Sequence, residues 1–128
     1  MDAIKTLLTR KSSPRLQEPS PSPEELELIF QAALRAPDHA ALKPWKFIKV
    51  SGKGREKLAE ALLDAVNKIN PIKASQDRDK ILSAPYRAPL IIIVVASTQD
   101  HEIVPEIEQI LSAGAAAQNI LIAAHSMG

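Results

Sequence analysis

RAPDHAALKPWKF, residues 35–47, decides how this chain is read. Pro37 disfavours helical geometry at Ala36, so the helical pattern upstream has to stop there. From Trp45 to residue 50 the side chains alternate as in a strand, with Ile48 and Val50 on one face and Trp45 and Phe47 on the other. A helix thus hands over to a strand across a loop that carries Arg35, Asp38, His39 and Lys43, with Pro37 and Pro44 limiting its backbone. Loops that join regular elements and hold ionisable side chains are common ligand sites. The plainer alternative is a polar loop over a buried tryptophan.

Upstream, Ser22-Pro23-Glu24-Glu25 starts the helix that the loop ends: Ser22 caps, Pro23 occupies the first turn and Glu25 completes a capping box. Leu26, Ile29, Phe30 and Ala33 form its apolar face. A shorter helix, capped by Asp2, is expected through Thr9 with Ile4, Leu7 and Leu8 as its stripe. Beyond it, Arg10, Lys11, Ser12 and Ser13 collect before Pro14. Two cations beside hydroxyls suit a phosphate. A solvated basic loop is the commoner outcome for such a stretch.

Downstream, Gly52 and Gly54 mark a turn whose spacing fits neither a P-loop nor a dinucleotide fingerprint. Residues 55–70 read as an amphipathic helix with Leu58, Leu62, Val66 and Ile69 inward. Residues 73–80 carry mixed charges, as on a solvated helix or loop. Pro85 and Pro89 bracket an extended lead-in to LIIIVVA, residues 90–96, a run expected to be a central strand buried on both faces. Asp100, His101 and Glu102 are adjacent in a loop, and adjacent residues seldom close on one metal ion. The last helix, from Pro105 to Met127, is apolar almost all round and calls for a covering surface; Gln118 and Asn119 on it need partners, and Gly128 stands at its cap. His125 reads as a helix-end histidine.

With 128 residues, 45% of them hydrophobic, the chain fits one domain with its own core. Sixteen basic and fifteen acidic residues leave +1, which gives no electrostatic case for nucleic acid or an anionic membrane. There is no cysteine, hence no disulfide, thiolate nucleophile or cysteine-bound metal. Two strands do not close a layered core by themselves, so a partner chain or further sequence is expected to cover what these residues expose.

The segments MDAI, LLTRKSS, LRAPDH, KPWKF, RAPLIIIVVA and SAGAAAQNILIAAHSMG together resemble the FMN-dependent nitroreductases, most closely the small YdjA-type NAD(P)H nitroreductases, over essentially the whole chain. RAPDH followed five residues later by Pro44-Trp45 is the most specific of these features. The resemblance implies an α+β fold, a mostly antiparallel sheet flanked by helices, with the last helix near a homodimer interface. It implies FMN as cofactor, NAD(P)H as electron donor and a nitroaromatic or quinone-like small molecule as acceptor. Carried over by position, Arg10, Lys11 and Ser12 would hold the FMN phosphate and ribityl chain. Arg35 and His39 would contact the flavin, often across the dimer. No side chain is required as a catalyst, and no metal. Relatives continue past the glycine matching Gly128 into a loop that finishes the FMN site and into further strands, so residues 1–128 are expected to form a nitroreductase-like domain incomplete at its carboxyl end. Many relatives carry Gln or Asn near the position of Lys43. A cytoplasmic enzyme without nucleic-acid or membrane partners is the leading expectation. A flavin-binding module without turnover and an inactive truncated product are its rivals.

Overall fold

The helix-to-strand handover around residues 35–47 organises the architecture seen in a computed structural model, which describes residues 2–128. Six α-helices and two strands follow in the order α1 (Ala3–Thr9), α2 (Pro23–Ala33), β1 (Trp45–Ser51), α3 (Gly54–Ile69), α4 (Pro71–Gln76), α5 (Arg78–Ser83), β2 (Leu90–Ala96) and α6 (Glu106–Met127). Short 3-10 turns lie at His39–Ala41 and Ala84–Arg87. β1 and β2 pair as a two-stranded antiparallel sheet, giving the α+β class expected. The chain separates into two compact units, one of residues 2–12, 21–48 and 94–128, the other of 13–20 and 49–93, so each strand contributes to both.

In the first unit α2 packs along α6. The predicted capping box is present: Ser22 Oγ accepts from the Glu25 amide at 3.2 Å, and the Glu25 carboxylate accepts from the Ser22 amide at 2.8 Å. That fixes where α2 starts, and Leu26, Ile29 and Ala33, at helical spacing from there, are buried on one face. Burying Ile29 alone contributes about 1.5–3 kcal/mol. α6 answers with Gln109, Ala113, Ala116 and Ile120, whose small central residues let the two backbones approach. The Asn119 side-chain amide donates to the Ala32 carbonyl at 3.0 Å, joining the backbone amides that already bond that carbonyl in the last turn of α2, while Gln118 is exposed. Phe30 meets Phe47 with ring centroids 5.7 Å apart, and Pro44 and Trp45 are buried. The Ser97 amide donates to the Pro44 carbonyl at 2.9 Å just past the strand ends.

The second unit gathers α4, α5 and the 3-10 turn Ala84–Arg87 around α3. Arg55 lies 5.0 Å from the centre of the Tyr86 ring and donates to the Ala88 and Gly52 carbonyls. The Leu16 amide donates to the Arg87 carbonyl at 2.7 Å and so ties residues 13–20 to this unit. Gly52 turns the chain at φ +53, where a side chain would strain the backbone.

Several expectations change. The Ala84–Arg87 segment is a 3-10 turn, not an extended lead-in, because the Pro85 ring pre-sets a turn φ that continues directly from α5. On α3 only Ala59 is buried, and Ile69, expected inward, is 86% exposed. β2 is half-buried along its length, not buried on both faces, and among the described residues it is not a central strand, since the sheet there has only β1 and β2. The stripe of α1 points outward: Leu8 is 81% exposed, whereas Thr6 is buried with its hydroxyl donating to the Asp2 carbonyl.

Candidate functional site

All five residues singled out from the sequence lie in the first unit. Arg10 is the C-cap of α1, with extended backbone angles and its amide bonded to the Thr6 carbonyl. The chain then leaves the helix, and Lys11 and Ser12 are exposed. Among the described residues, no carboxylate lies within ion-pair distance of Arg10 or Lys11, and the Ser12 hydroxyl makes no hydrogen bond. Two unpaired cations and a free hydroxyl in three consecutive residues are a donor set that matches a phosphate dianion.

Thr9 fixes where this set begins. Its hydroxyl donates to the Lys5 carbonyl at 2.7 Å and lies 2.9 Å from His125 Nε2. With the hydroxyl proton directed at Lys5, His125 Nε2 acts as the donor to Thr9. The histidine at the end of α6 therefore has a positioning role, tying the last turn of that helix to the residue before Arg10.

Arg35 follows the C-cap of α2, exposed, with its amide bonded to the Ala32 carbonyl. The loop after it is shaped by Asp38. Its carboxylate accepts from the amides of Leu42 at 3.1 Å and Lys43 at 2.8 Å, and closes a segment in which Ala40, Ala41 and Lys43 all have positive φ. Three non-glycine residues in the left-handed region within four positions is costly backbone, of the kind that concentrates at ligand sites. His39 projects from this segment, and its Nδ1 lies 3.0 Å from a carboxylate oxygen of Glu108 in the first turn of α6.

These contacts place the two groups relative to α6. His39 is tied to Glu108, near the start of the helix, and the Arg10 segment to His125, near its end. The anchors are about 25 Å apart along the axis at the α-helical rise. Sequence reasoning named the five residues but had no means of finding this separation, which depends on the course of α6. It also missed Glu108 and Gln109, and it named Asp38 only as one of the loop's ionisable side chains, not as the group that closes the turn. Gln109 is buried and fully bonded, accepting from the Gln99 amide and donating to the Gln99 and Val104 carbonyls, and so holds the loop before α6. The only sequence signal for it was a polar residue in an apolar helix.

Two open surface grooves lie elsewhere: one is formed by Pro23, Glu24, Glu27 and Leu28, the other by α3, Arg78, Leu82 and Tyr86. Neither includes any of the five residues.

The Nitroreductase family description matches residues 7–128. The "Putative NAD(P)H nitroreductase YdjA" of Escherichia coli K12 is 43% identical over 131 residues, which cover 100% of this chain and 69% of that protein. Among solved structures, a nitroreductase-like family protein from Bacillus cereus superposes with a TM-score of 0.78 at 22% identity, over 100% of this chain and 66% of that one. A nitroreductase with bound FMN from Bacteroides fragilis gives 0.76 at 22% identity, over 98% and 65%. The chain thus spans about two-thirds of the length of the proteins it matches.

Proposed function

The chain belongs to the nitroreductase family, and from that premise we propose that it acts as an FMN-dependent oxidoreductase, passing electrons from NAD(P)H to nitroaromatic or quinone-like acceptors as a homodimer. The observation that carries the proposal is the Arg10–Lys11–Ser12 set, unpaired and held in place by the His125–Thr9 bond. Arg10 offers a planar fork to two phosphate oxygens, Lys11 a mobile point charge and Ser12 a neutral donor. FMN, when bound, supplies the two-electron chemistry, and the protein supplies position and charge. Arg35 and His39 hold the flavin end, so no side chain has to act as nucleophile or base.

The separation of the two groups along α6 favours a site shared between two chains, with the phosphate on the Arg10 segment of one protomer and the flavin against Arg35 and His39 of its partner. A symmetric dimer then carries two such sites. We take residues 1–128 as part of one nitroreductase-like domain, working in the cytoplasm, where NAD(P)H is available.

The test uses two variants, Arg10→Ala and His39→Ala. Each alone should lose FMN retention on dialysis, read from the visible flavin bands. Mixing them in equal amounts and allowing subunit exchange should restore about a quarter of the wild-type sites, since half the dimers are mixed and each mixed dimer has one intact site. No recovery on mixing would place all five residues in one protomer's site. Unchanged FMN retention by Arg10→Ala would remove the phosphate assignment. NADPH oxidation above that of free FMN separates an enzyme from a flavin-binding module.

A further inference from the structure

We propose that Glu108 is a positioning residue for His39: its carboxylate fixes the imidazole with the proton on Nδ1 and leaves Nε2 as the group offered to the flavin. The inference rests on the assignment of His39 to the flavin end of the site.

An ionised Glu108 only accepts hydrogen bonds, so a His39 Nδ1 that lies 3.0 Å from it must carry the hydrogen. The neutral ring then has a lone pair on Nε2, an acceptor for an N–H of the ligand. Without the carboxylate no other group selects that tautomer, because His39 has no other hydrogen-bond partner among the described residues.

The backbone beneath the ring is already set. Asp38 closes the turn through the Leu42 and Lys43 amides, and Pro44 is fully buried behind it. The remaining freedom at His39 is rotation of its own side chain, and the contact to Glu108 removes it. The partner is equally well placed. Glu108 sits in the first turn of α6, where the helix dipole favours a negative charge. In the same turn Glu106 accepts from the Thr98 hydroxyl at 3.2 Å, and Gln109 is buried and triply bonded, so the stretch of α6 that carries Glu108 is rigid.

As a stabilising ion pair the contact has little to offer. The two side chains are 55% and 48% exposed, and pairs of that kind add little to folding. Its consequence is orientation. That contrast separates a positioning role from a structural one: Glu108→Ala should shift the denaturation midpoint only by the small loss of a first-turn charge, equally with or without His39, while changing the imidazole and the affinity for FMN.

Two measurements on the full chain test this. Long-range 1H–15N correlation spectra without ligand, at a pH where the ring is neutral and with His39→Ala as the assignment control, should show His39 protonated on Nδ1 in wild type and in Glu108→Gln, whose side-chain carbonyl still accepts. In Glu108→Ala the proton should move towards Nε2. FMN titration should show affinity weakened ~3–10-fold in Glu108→Ala, as for loss of one oriented hydrogen bond, and near wild type in Glu108→Gln. Glu108→Ala should add no further loss in a His39→Ala background. A wild-type His39 carrying its proton on Nε2, or a Glu108→Ala penalty that persists undiminished without His39, would overturn the proposal. Wild-type affinity in His39→Ala would instead overturn the assignment of His39 to the flavin, with the tautomer result standing apart from it.

Discussion

Asp38 shows how a single side chain can hold an unfavourable backbone. Ala40, Ala41 and Lys43 have φ of 63, 51 and 48, each costing about 1 kcal/mol or more for a residue with a Cβ. The carboxylate that bonds the Leu42 and Lys43 amides offsets part of that cost. Removing it in Asp38→Ala should destabilise the fold by about 1–3 kcal/mol, as for amides left without their acceptor. Asp38→Asn, which keeps one acceptor oxygen, should fall between the two. Urea denaturation followed by Trp45 fluorescence reads this directly, since Trp45 follows the loop by two residues. An Asp38→Ala midpoint equal to wild type would mean that the strained turn is held by Pro44 and Trp45 packing alone. His39 and Arg35 were legible in the sequence as groups flanking the helix break, and their assignment to the flavin came from the resemblance carried by RAPDH. Asp38 was legible only as one more charge in the loop and Glu108 was not singled out, because a carboxylate on a helix or in a turn is ordinary until its partner is known.

At the level of elements, what could be read was whatever is encoded locally. The Ser22–Glu25 box, the break before Pro37, the Asp2 cap and the limits of β2 and α6 all depend on residues within four positions of one another, and all are found where the spacing put them. Burial was less legible, since the apolar stripe of an element says that it wants a covering surface, not that one is present. Hence Ile4, Leu7 and Leu8 on α1 and Ile69 on α3 are exposed despite helical spacing. Asn119 marks the boundary between the two cases: its need for a partner was legible, but its partner, the Ala32 carbonyl, lies 87 positions away. The local signals are also the more easily tested. Ser22→Ala should cost about 1 kcal/mol by leaving the Glu25 amide without its cap. A loss of helical signal on thermal melting that begins earlier than in wild type would register it, and an identical melt would mean that Pro23 and the packing of α2 on α6 set the helix start by themselves.

For the whole molecule the deciding feature is the second apolar face of α6. Its first face is spent on α2, yet Ile107, Ile110, Leu111 and Leu121 remain exposed, and Gly114 leaves open space along the same helix. By length and composition this 22-residue helix could also cross a membrane. Its polar residues tie the other side of the helix to the chain itself: Glu106, Glu108, Gln109 and Asn119 all make hydrogen bonds to other parts of the chain, which leaves the second face to be covered from outside. If two copies meet through this face, Leu111 is buried twice by symmetry, once from each protomer. Replacing it with Lys then removes about 3 kcal/mol or more of burial from one interface, which weakens the dimer by at least ~100-fold. Sedimentation equilibrium should show wild type as a dimer and Leu111→Lys shifted towards monomer, with Ile72→Lys, at an exposed apolar site in the other unit, unchanged. A Leu111→Lys protein that remains dimeric would move the interface away from α6. Flotation of the wild-type chain with lipid vesicles, abolished by the same substitution, would turn the face towards lipid and leave the proposed shared FMN site without the partner it needs.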